Sequence, residues 1–365
     1  MSHVLPSCRL DFKSFRDMHG HHPLQTVIFY DNGCLWWIRV AVDWDLPDPV
    51  LNLRYLKRRS TLHNTVTNIA LTLDTQPQNP IPIRDEFRTS ENYFITYWGL
   101  RQFKASHLQV VDDSFAATVS LVQVEQGNFV FKSIDCPLYI HGDAEHVLDE
   151  IDALSQFIGH PDIAQLVGLV ISENPYHTHP LTDIPLVIAG FLLEYYPGGS
   201  LAQIIARNEI PDERLLVQWA IQVGTALDAL HRNGRTHVDF KPENIVLDSQ
   251  NNAILIDIGG TGGFGLEWLS PELTAPLEEN LENVPTKAPF EQRVGTDCWA
   301  YGKVLSILAE GSGTLGGAER LRSIACRLME TVPEGRIPLG RALEEMRDTK
   351  SLVSSSHIAV DDSTY

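Results

Sequence analysis

The sequence predicts an α+β protein in which β-rich segments come first and helices follow. Three observations carry that expectation. The first hundred residues hold aromatic and β-branched runs broken by turn signals. Residues 108–195 mix short strand-like runs with one helical stretch, and beyond Leu201 the chain is mostly helical. Strands followed by helices in 365 residues fit a small β lobe packed on a larger α lobe.

Each element has its own signal. In VIFYDNGCLWWIRVAV two apolar runs flank Asp31-Asn32-Gly33, the residue pattern of a tight hairpin. Thr75 to Pro82 is a proline-punctuated loop, and NYFITYWGL reads as a further strand. Short strands are expected over 108–133, a helix from Ala144 to Ile158, and strands at 165–172 and 185–195. LLVQWAIQVGTALDALHRNG is an amphipathic helix stopped by Gly234. The Ser/Asp-rich end, SLVSSSHIAVDDSTY, is expected to fray.

Composition narrows the function. Hydrophobic residues at 43% and charged residues at 21% exclude wholesale disorder. With 28 Lys+Arg against 47 Asp+Glu, the formal charge is -19. That argues against a nucleic-acid or anionic-membrane binder, since both need basic surface. A polyanionic ligand must then be held by local cations or metal. The five cysteines are scattered without a C-x-x-C pair, as in a reduced intracellular protein, cytoplasmic or nuclear. No secretory h-region opens the sequence, and the most apolar run, Ile184 to Leu193, is about half of what a membrane-spanning helix requires.

The chemistry is concentrated in His237-Val238-Asp239-Phe240-Lys241-Pro242-Glu243-Asn244, followed by the strand-like IVLD. Thirteen residues past Asn244, the run Ala253-Ile254-Leu255-Ile256 delivers Asp257-Ile258-Gly259. Ser270-Pro271-Glu272, an Asp297 inside DCWAYGKVL, and Pro333-Glu334-Gly335-Arg336 follow in order. This succession resembles the eukaryotic protein kinase superfamily, from its catalytic loop and D-F-G metal site to its A-P-E, helix-F aspartate and late arginine.

The resemblance covers about 108–348 and implies a bilobal protein-kinase-like fold with an N-terminal β-rich extension over 1–105. The N-lobe and hinge would span 108–195, the C-lobe 196–348, and a flexible tail 349–365. It implies ATP and Mg²⁺ as cofactors and a Ser/Thr hydroxyl of a protein substrate as acceptor, because Lys241-Pro242-Glu243-Asn244 is the Ser/Thr version of the loop. Phosphoryl transfer is mostly positioning and charge neutralisation. Asp239 would orient or accept the hydroxyl proton, and Lys241 would neutralise the travelling phosphoryl group. Asn244 and Asp257 would offer oxygen to Mg²⁺. Val130-Phe131-Lys132 resembles the V-A-x-K strand, so Lys132 would reach the α/β-phosphates. Its partner would be Glu150, with Asp149 and Asp152 as competitors. FLLEYYPGGSL resembles the hinge: Leu193 as gatekeeper, Glu194 and Tyr196 offering backbone groups to adenine. Val119, Val130 and Val246 would pack the adenine ring.

The pattern departs from the family in three places. Asp112-Asp113-Ser114-Phe115-Ala116-Ala117-Thr118-Val119 stands where a glycine-rich loop belongs, so backbone N–H groups lose their unhindered approach to phosphate. Val238 replaces arginine, and Ile258 replaces phenylalanine in a packed spine with His237 and Leu154. The missing glycines keep a second reading open, that of a pseudokinase acting as a nucleotide-binding or scaffold module. A small-molecule phosphotransferase, which shares the Asp and Asn, fits less well because those families lack the lysine. A regulatory partner is expected to act through residues 1–105, which carry no chemistry of their own. His19, His21, His22, His177 and His179 read as loop histidines, and Trp36 and Trp37 as β-domain core.

Overall fold

The computed structural model describes residues 8–16, 24–31, 34–41, 99–116, 118–133, 143–173, 186–207, 212–260, 263–280, 283–311 and 316–355. The chain divides into two units: Met1–Glu145 with Val167–Leu192, and His146–Leu166 with Leu193–Tyr365.

The first unit holds two sheets. Strands β1 (Cys8–Arg16), β2 (Leu24–Asp31) and β3 (Cys34–Ala41) pair antiparallel in that order, with Asp31 opposite Cys34 across the expected two-residue connection. The second sheet contains β4 (Gln102–Lys104), β5 (Gln109–Ala116), β6 (Val119–Val124), β7 (Gly127–Ser133), β8 (Leu166–Glu173) and β9 (Leu186–Glu194). Its order is β4-β8-β9-β7-β6-β5.

The six-stranded sheet takes in residues from the end of the 1–105 segment. Residues 102–104 are an integral edge strand, parallel to β8 with Phe103 opposite Val170. Phe103 is buried in one cluster with Val122, Val124, Val170 and Leu192. The Arg101 guanidinium lies 4.6 Å from the Phe103 ring centroid and bonds Glu125 at 2.5 Å. Gly168 permits this approach, because a Cβ there would stand 2.3 Å from the Arg101 carbonyl oxygen. The NYFITYWGL strand and the Thr75–Pro82 loop fall almost wholly outside the described residues.

The second unit is helical: α1 (Asp143–Gln156, shared with the first unit at its start), α2 (Leu201–Ala206), α3 (Glu213–Arg232), α4 (Pro271–Glu279), α5 (Phe290–Gly311), α6 (Gly316–Leu328) and α7 (Leu339–Ser355). It also holds the hairpin β10 (Ile245–Leu247) and β11 (Ala253–Leu255). Helix α7 continues to Ser355, past the expected boundary at 348.

Helix α3 shows how this core forms. Asp212 caps it by accepting the Leu215 N–H at 3.1 Å, and Gly234, at φ +72°, releases the chain after Arg232. Leu216, Ala220, Val223, Leu227 and Leu230 recur at helical spacing and are all buried. Each Leu or Val so buried contributes about 1.5–3 kcal/mol relative to exposure. Tyr301 of α5, fully buried, donates to the Ala220 carbonyl at 2.8 Å, and Gly224 leaves room for its ring.

Candidate active site

The catalytic segment is held by one buried carboxylate. Asp297 of α5, with no exposed surface, accepts the His237 N–H at 2.8 Å and the Val238 N–H at 2.7 Å. His231 Nε2, from the end of α3, meets the same carboxylate at 2.9 Å. Two consecutive amides aimed at one carboxylate force a sharp bend, and Val238 adopts φ +66°. That conformation costs a β-branched residue on the order of 1–3 kcal/mol and persists because its surroundings over-determine it. Aromatic edges continue the support, with His237 on Phe240 at 5.8 Å and Phe240 on Tyr301 at 5.9 Å. His237 Nε2 lies 2.9 Å from the Ile256 carbonyl.

Asp239, the next residue, is half-buried and oriented from three directions. Lys241 Nζ donates to Oδ2 at 2.7 Å, and the Gly265 N–H donates to Oδ1 at 3.0 Å. Asn244 Nδ2 donates to the Asp239 carbonyl at 2.8 Å and to Oδ2 at 3.2 Å. Both Asn244 bonds use the amide nitrogen, so the side-chain oxygen is the atom a metal would meet.

The hairpin then brings Asp257 alongside. Ile245 pairs with Leu255, and the Ile256 N–H donates to the Asn244 carbonyl at 3.0 Å, placing Asp257 one residue beyond Asn244's partner. Asp257 adopts φ +59°. One carboxylate and one amide oxygen suit Mg²⁺, which keeps few protein ligands and takes the rest from phosphate and water. Ile258, His237 and Leu154 are all buried, as the expected spine requires.

Around the expected hinge, Leu193 is buried and Glu194 exposed, with the Glu194 N–H donating to Gln165 O at 3.1 Å. Tyr196 places its hydroxyl against the Gln165 N–H at 3.1 Å and donates to Glu194 Oε2 at 3.4 Å. Burial pushes this phenol above its ordinary pKa. The Gln165 side chain donates to the Ile163 carbonyl at 2.6 Å and the His160 carbonyl at 2.9 Å, stiffening the segment that Tyr196 holds. Val246 bridges Ser200, while Gly198 and Gly199 exchange backbone bonds with Leu247 at 2.9 Å.

In the first unit, register sorts the expected residues onto one face of the sheet. Val119 pairs with Lys132 and Leu121 with Val130; Val122 pairs with Phe129 and turns to the opposite face, into the core. Val119, Val130 and Lys132 therefore share a face, and Lys132 Nζ lies 5.9 Å from the Phe191 ring centroid. Where glycines were expected, β5 slips register on both sides of Asp112. The Ser114 N–H donates to Asp112 Oδ1 at 2.9 Å, and the Ser114 hydroxyl and backbone bonds hold this exposed carboxyl below its usual range. Ala117 lies outside the described residues.

Glu150 belongs to the second unit and lies against Gly259, where a Cβ would come within 3.1 Å of the Glu150 Cβ. Its two competitors differ: Asp149 is exposed, and Asp152 is engaged by Arg235. Ser270 is fully buried, its N–H donating to Thr296 Oγ1 at 2.8 Å. Arg336 grips Glu272 through two bonds of 2.5 and 2.8 Å. Thr261 and the five loop histidines lie outside the described residues; Trp36 and Trp37 fall in β3.

The sequence reading missed Gly265, His231 and Arg235. Gly265 acts through a backbone N–H and leaves no side-chain signal. His231 and Arg235 read as ordinary polar residues around a helix end.

A bent loop held by a buried aspartate, with an oriented Asp-Lys-Asn set and a further aspartate just beyond the hairpin, is an architecture suited to phosphoryl transfer. The chain matches the protein kinase domain over residues 114–355, and it belongs to the protein kinase family. It is 35% identical over 165 residues to the hormonally up-regulated neu tumor-associated kinase of Mus musculus, covering 44% of this chain and 21% of that protein. Against the maternal embryonic leucine zipper kinase of Danio rerio, identity is 32% over 178 residues, or 46% and 23% of the two chains. A serine/threonine-protein kinase-like protein of Arabidopsis thaliana is 29% identical over 183 residues, 46% of this chain and 50% of that one. The chain thus spans about a fifth to a half of the length of these curated relatives. No helix among the described residues is long and apolar enough to cross a membrane.

Proposed function

We propose that this chain is an ATP- and Mg²⁺-dependent protein kinase that transfers the γ-phosphoryl group to Ser/Thr hydroxyls of a protein substrate. The observation that carries the reading is the Asp239 carboxylate, oriented by Lys241, Asn244 and the Gly265 N–H. The acceptor oxygen bonds the γ-phosphorus as the bond to the β–γ bridging oxygen breaks. ADP leaves, and the hydroxyl proton passes to Asp239. Lys241 offsets charge on the moving group. Asn244 and Asp257 would hold Mg²⁺, which supplies neutralisation of the phosphate oxygens. By the family resemblance Lys132 would contribute charge at the α/β-phosphates and Glu150 would be its partner. Glu194 and Tyr196 would offer backbone groups to adenine, and Val119, Val130 and Val246 would be the apolar residues that pack it.

The pseudokinase reading is favoured by one feature, the Asp112–Ser114 turn in place of phosphate-facing glycines. Each charged hydrogen bond lost there is worth about 1.5–3 kcal/mol, so weak nucleotide binding belongs to both readings. Residues 1–105, all of which precede the matched domain, are the proposed site of a regulatory partner. Calorimetric titration of ATP with and without Mg²⁺, alongside phosphate incorporation into generic protein substrates, tests the proposal. It expects metal-dependent binding and transfer to Ser/Thr; equal affinity in EDTA would remove Asn244 and Asp257 as the metal site.

A further inference from the structure

Arg235 lies four residues before Asp239 and is the first residue after the Gly234 turn to carry a charge. Its side chain reaches α1, where Nε donates to Gln156 Oε1 at 3.0 Å and Nη2 bonds Asp152 Oδ2. Asp152 and Gln156 stand one helical turn apart and join each other through a 2.9 Å bond, so the guanidinium fork closes a three-membered ring of contacts. The Arg235 side chain is 21% exposed and that of Asp152 46%, so the pair is partly screened by solvent and the lock rests on the geometry of the fork.

Two further approaches complete a triangle. Gly260, at φ +70°, lies so close to Thr236 that a Cβ would meet the Thr236 carbonyl oxygen at 2.4 Å. Gly259 lies against Glu150 on the same α1. Helix α1, the catalytic loop and the segment after Asp257 are therefore each tied to the other two, and every residue in these contacts belongs to the second unit. The loop itself is strained at Val238 and Asp257, both at positive φ, so its shape depends on outside restraint. Val238 also removes the cation that would pair with a phosphate on the activation segment.

We infer that Arg235 is a positioning residue: its fork on Asp152 and Gln156 locks α1 to the catalytic loop and holds Glu150, Asp239 and Asp257 in register without an activation-segment phosphate. The inference rests on the kinase reading for its catalytic consequence but not for its mechanical one. The test therefore reads both.

Full-length wild type, Arg235→Met, Asp152→Asn and the charge swap Asp152→Arg/Arg235→Asp are compared by amide hydrogen exchange of residues 147–156, and by kcat and KM for ATP. Arg235→Met, which keeps the apolar stem, should speed α1 exchange about tenfold and lower kcat about tenfold or more, with KM for ATP within about twofold. Asp152→Asn should give a smaller change of the same sign, and the swap should recover most of both losses. Wild-type exchange and kcat in Arg235→Met, or a swap that recovers neither, overturns the inference. A wild type without turnover whose α1 exchange still depends on Arg235 supports the lock and removes the kinase reading instead.

Discussion

Replacing Arg336 with alanine removes more than one interaction. Its Nη atoms hold Glu272 at 2.5 and 2.8 Å, its Nε donates to the Glu330 carbonyl at 2.8 Å, and its guanidinium lies 5.1 Å from the Trp299 ring centroid. The arginine side chain is 6% exposed and Glu272 is 21% exposed, so the alanine variant strands a carboxylate with little water to replace its partner. Breaking a buried pair costs about 3–5 kcal/mol; the partial exposure of Glu272 argues for the low end, about 3 kcal/mol. For a unit of this size each kcal/mol shifts the melting temperature by about 2–4 °C, so Arg336→Ala should melt about 6–12 °C lower. Differential scanning calorimetry of the full chain measures this. Burial, the largest single influence, would raise the Glu272 pKa, but the hydrogen bonds from Arg336, the local backbone and Ser270, with the Arg336 charge, together outweigh it and hold the carboxyl below its usual range. The pair's stabilisation is therefore present above the ordinary glutamate range and lost as pH falls through the lowered folded value, so the mutant's deficit should shrink in acid. A shift under about 2 °C at neutral pH, or a deficit that grows in acid, would refute the reasoning.

Three further outcomes follow from particular side chains. Burial raises the Asp162 carboxyl from 3.8 to about 6, so its stabilising contribution is complete below the unfolded value and disappears as pH rises through the folded one. Asp162→Asn should therefore stabilise the fold by about 1–2 kcal/mol above pH ~7, a gain that vanishes below pH ~4 in melting curves. Restoring glycines with Asp112→Gly/Ser114→Gly should raise Mg²⁺-ATP affinity about tenfold per recovered backbone bond, measured by calorimetry. Thr261→Ala, which removes the hydroxyl between Asp257 and Ser270, should leave any activity of protein purified from a host without eukaryotic kinases within about twofold, since Val238 stands where the family has the arginine that would pair with a phosphate there.

Much of the site was legible because its chemistry is local in sequence. His237 to Asn244 forms one bent segment, and the hairpin that carries Asp257 follows from β-branched runs on either side of a turn. Asp297, Glu272 and Arg336 were legible through their motif contexts. What was hidden depends on distance or on backbone. Strand β4 is three residues long, too short for a periodic signal, and exists because Phe103 finds a core built from β6, β8 and β9. Arg235 and Asp152 are 83 residues apart, and nothing in either local pattern announces the other. Gly265 contributes an N–H that every residue but proline carries. The run of α7 to Ser355 was not read from the sequence because a Ser-rich segment carries no helical periodicity.

The central claim is that Asp239, oriented by Lys241, Asn244 and Gly265, accepts the proton of an acceptor hydroxyl during phosphoryl transfer. Single-turnover transfer from Mg²⁺-ATP to a protein substrate, measured for wild type and Asp239→Asn with nucleotide affinity determined in parallel, tests it most directly. The account expects measurable wild-type transfer, a loss of about a hundredfold or more in the variant, and Mg²⁺-ATP affinity unchanged within about twofold. Equal transfer by both proteins, or none by wild type under saturating Mg²⁺-ATP, would contradict it.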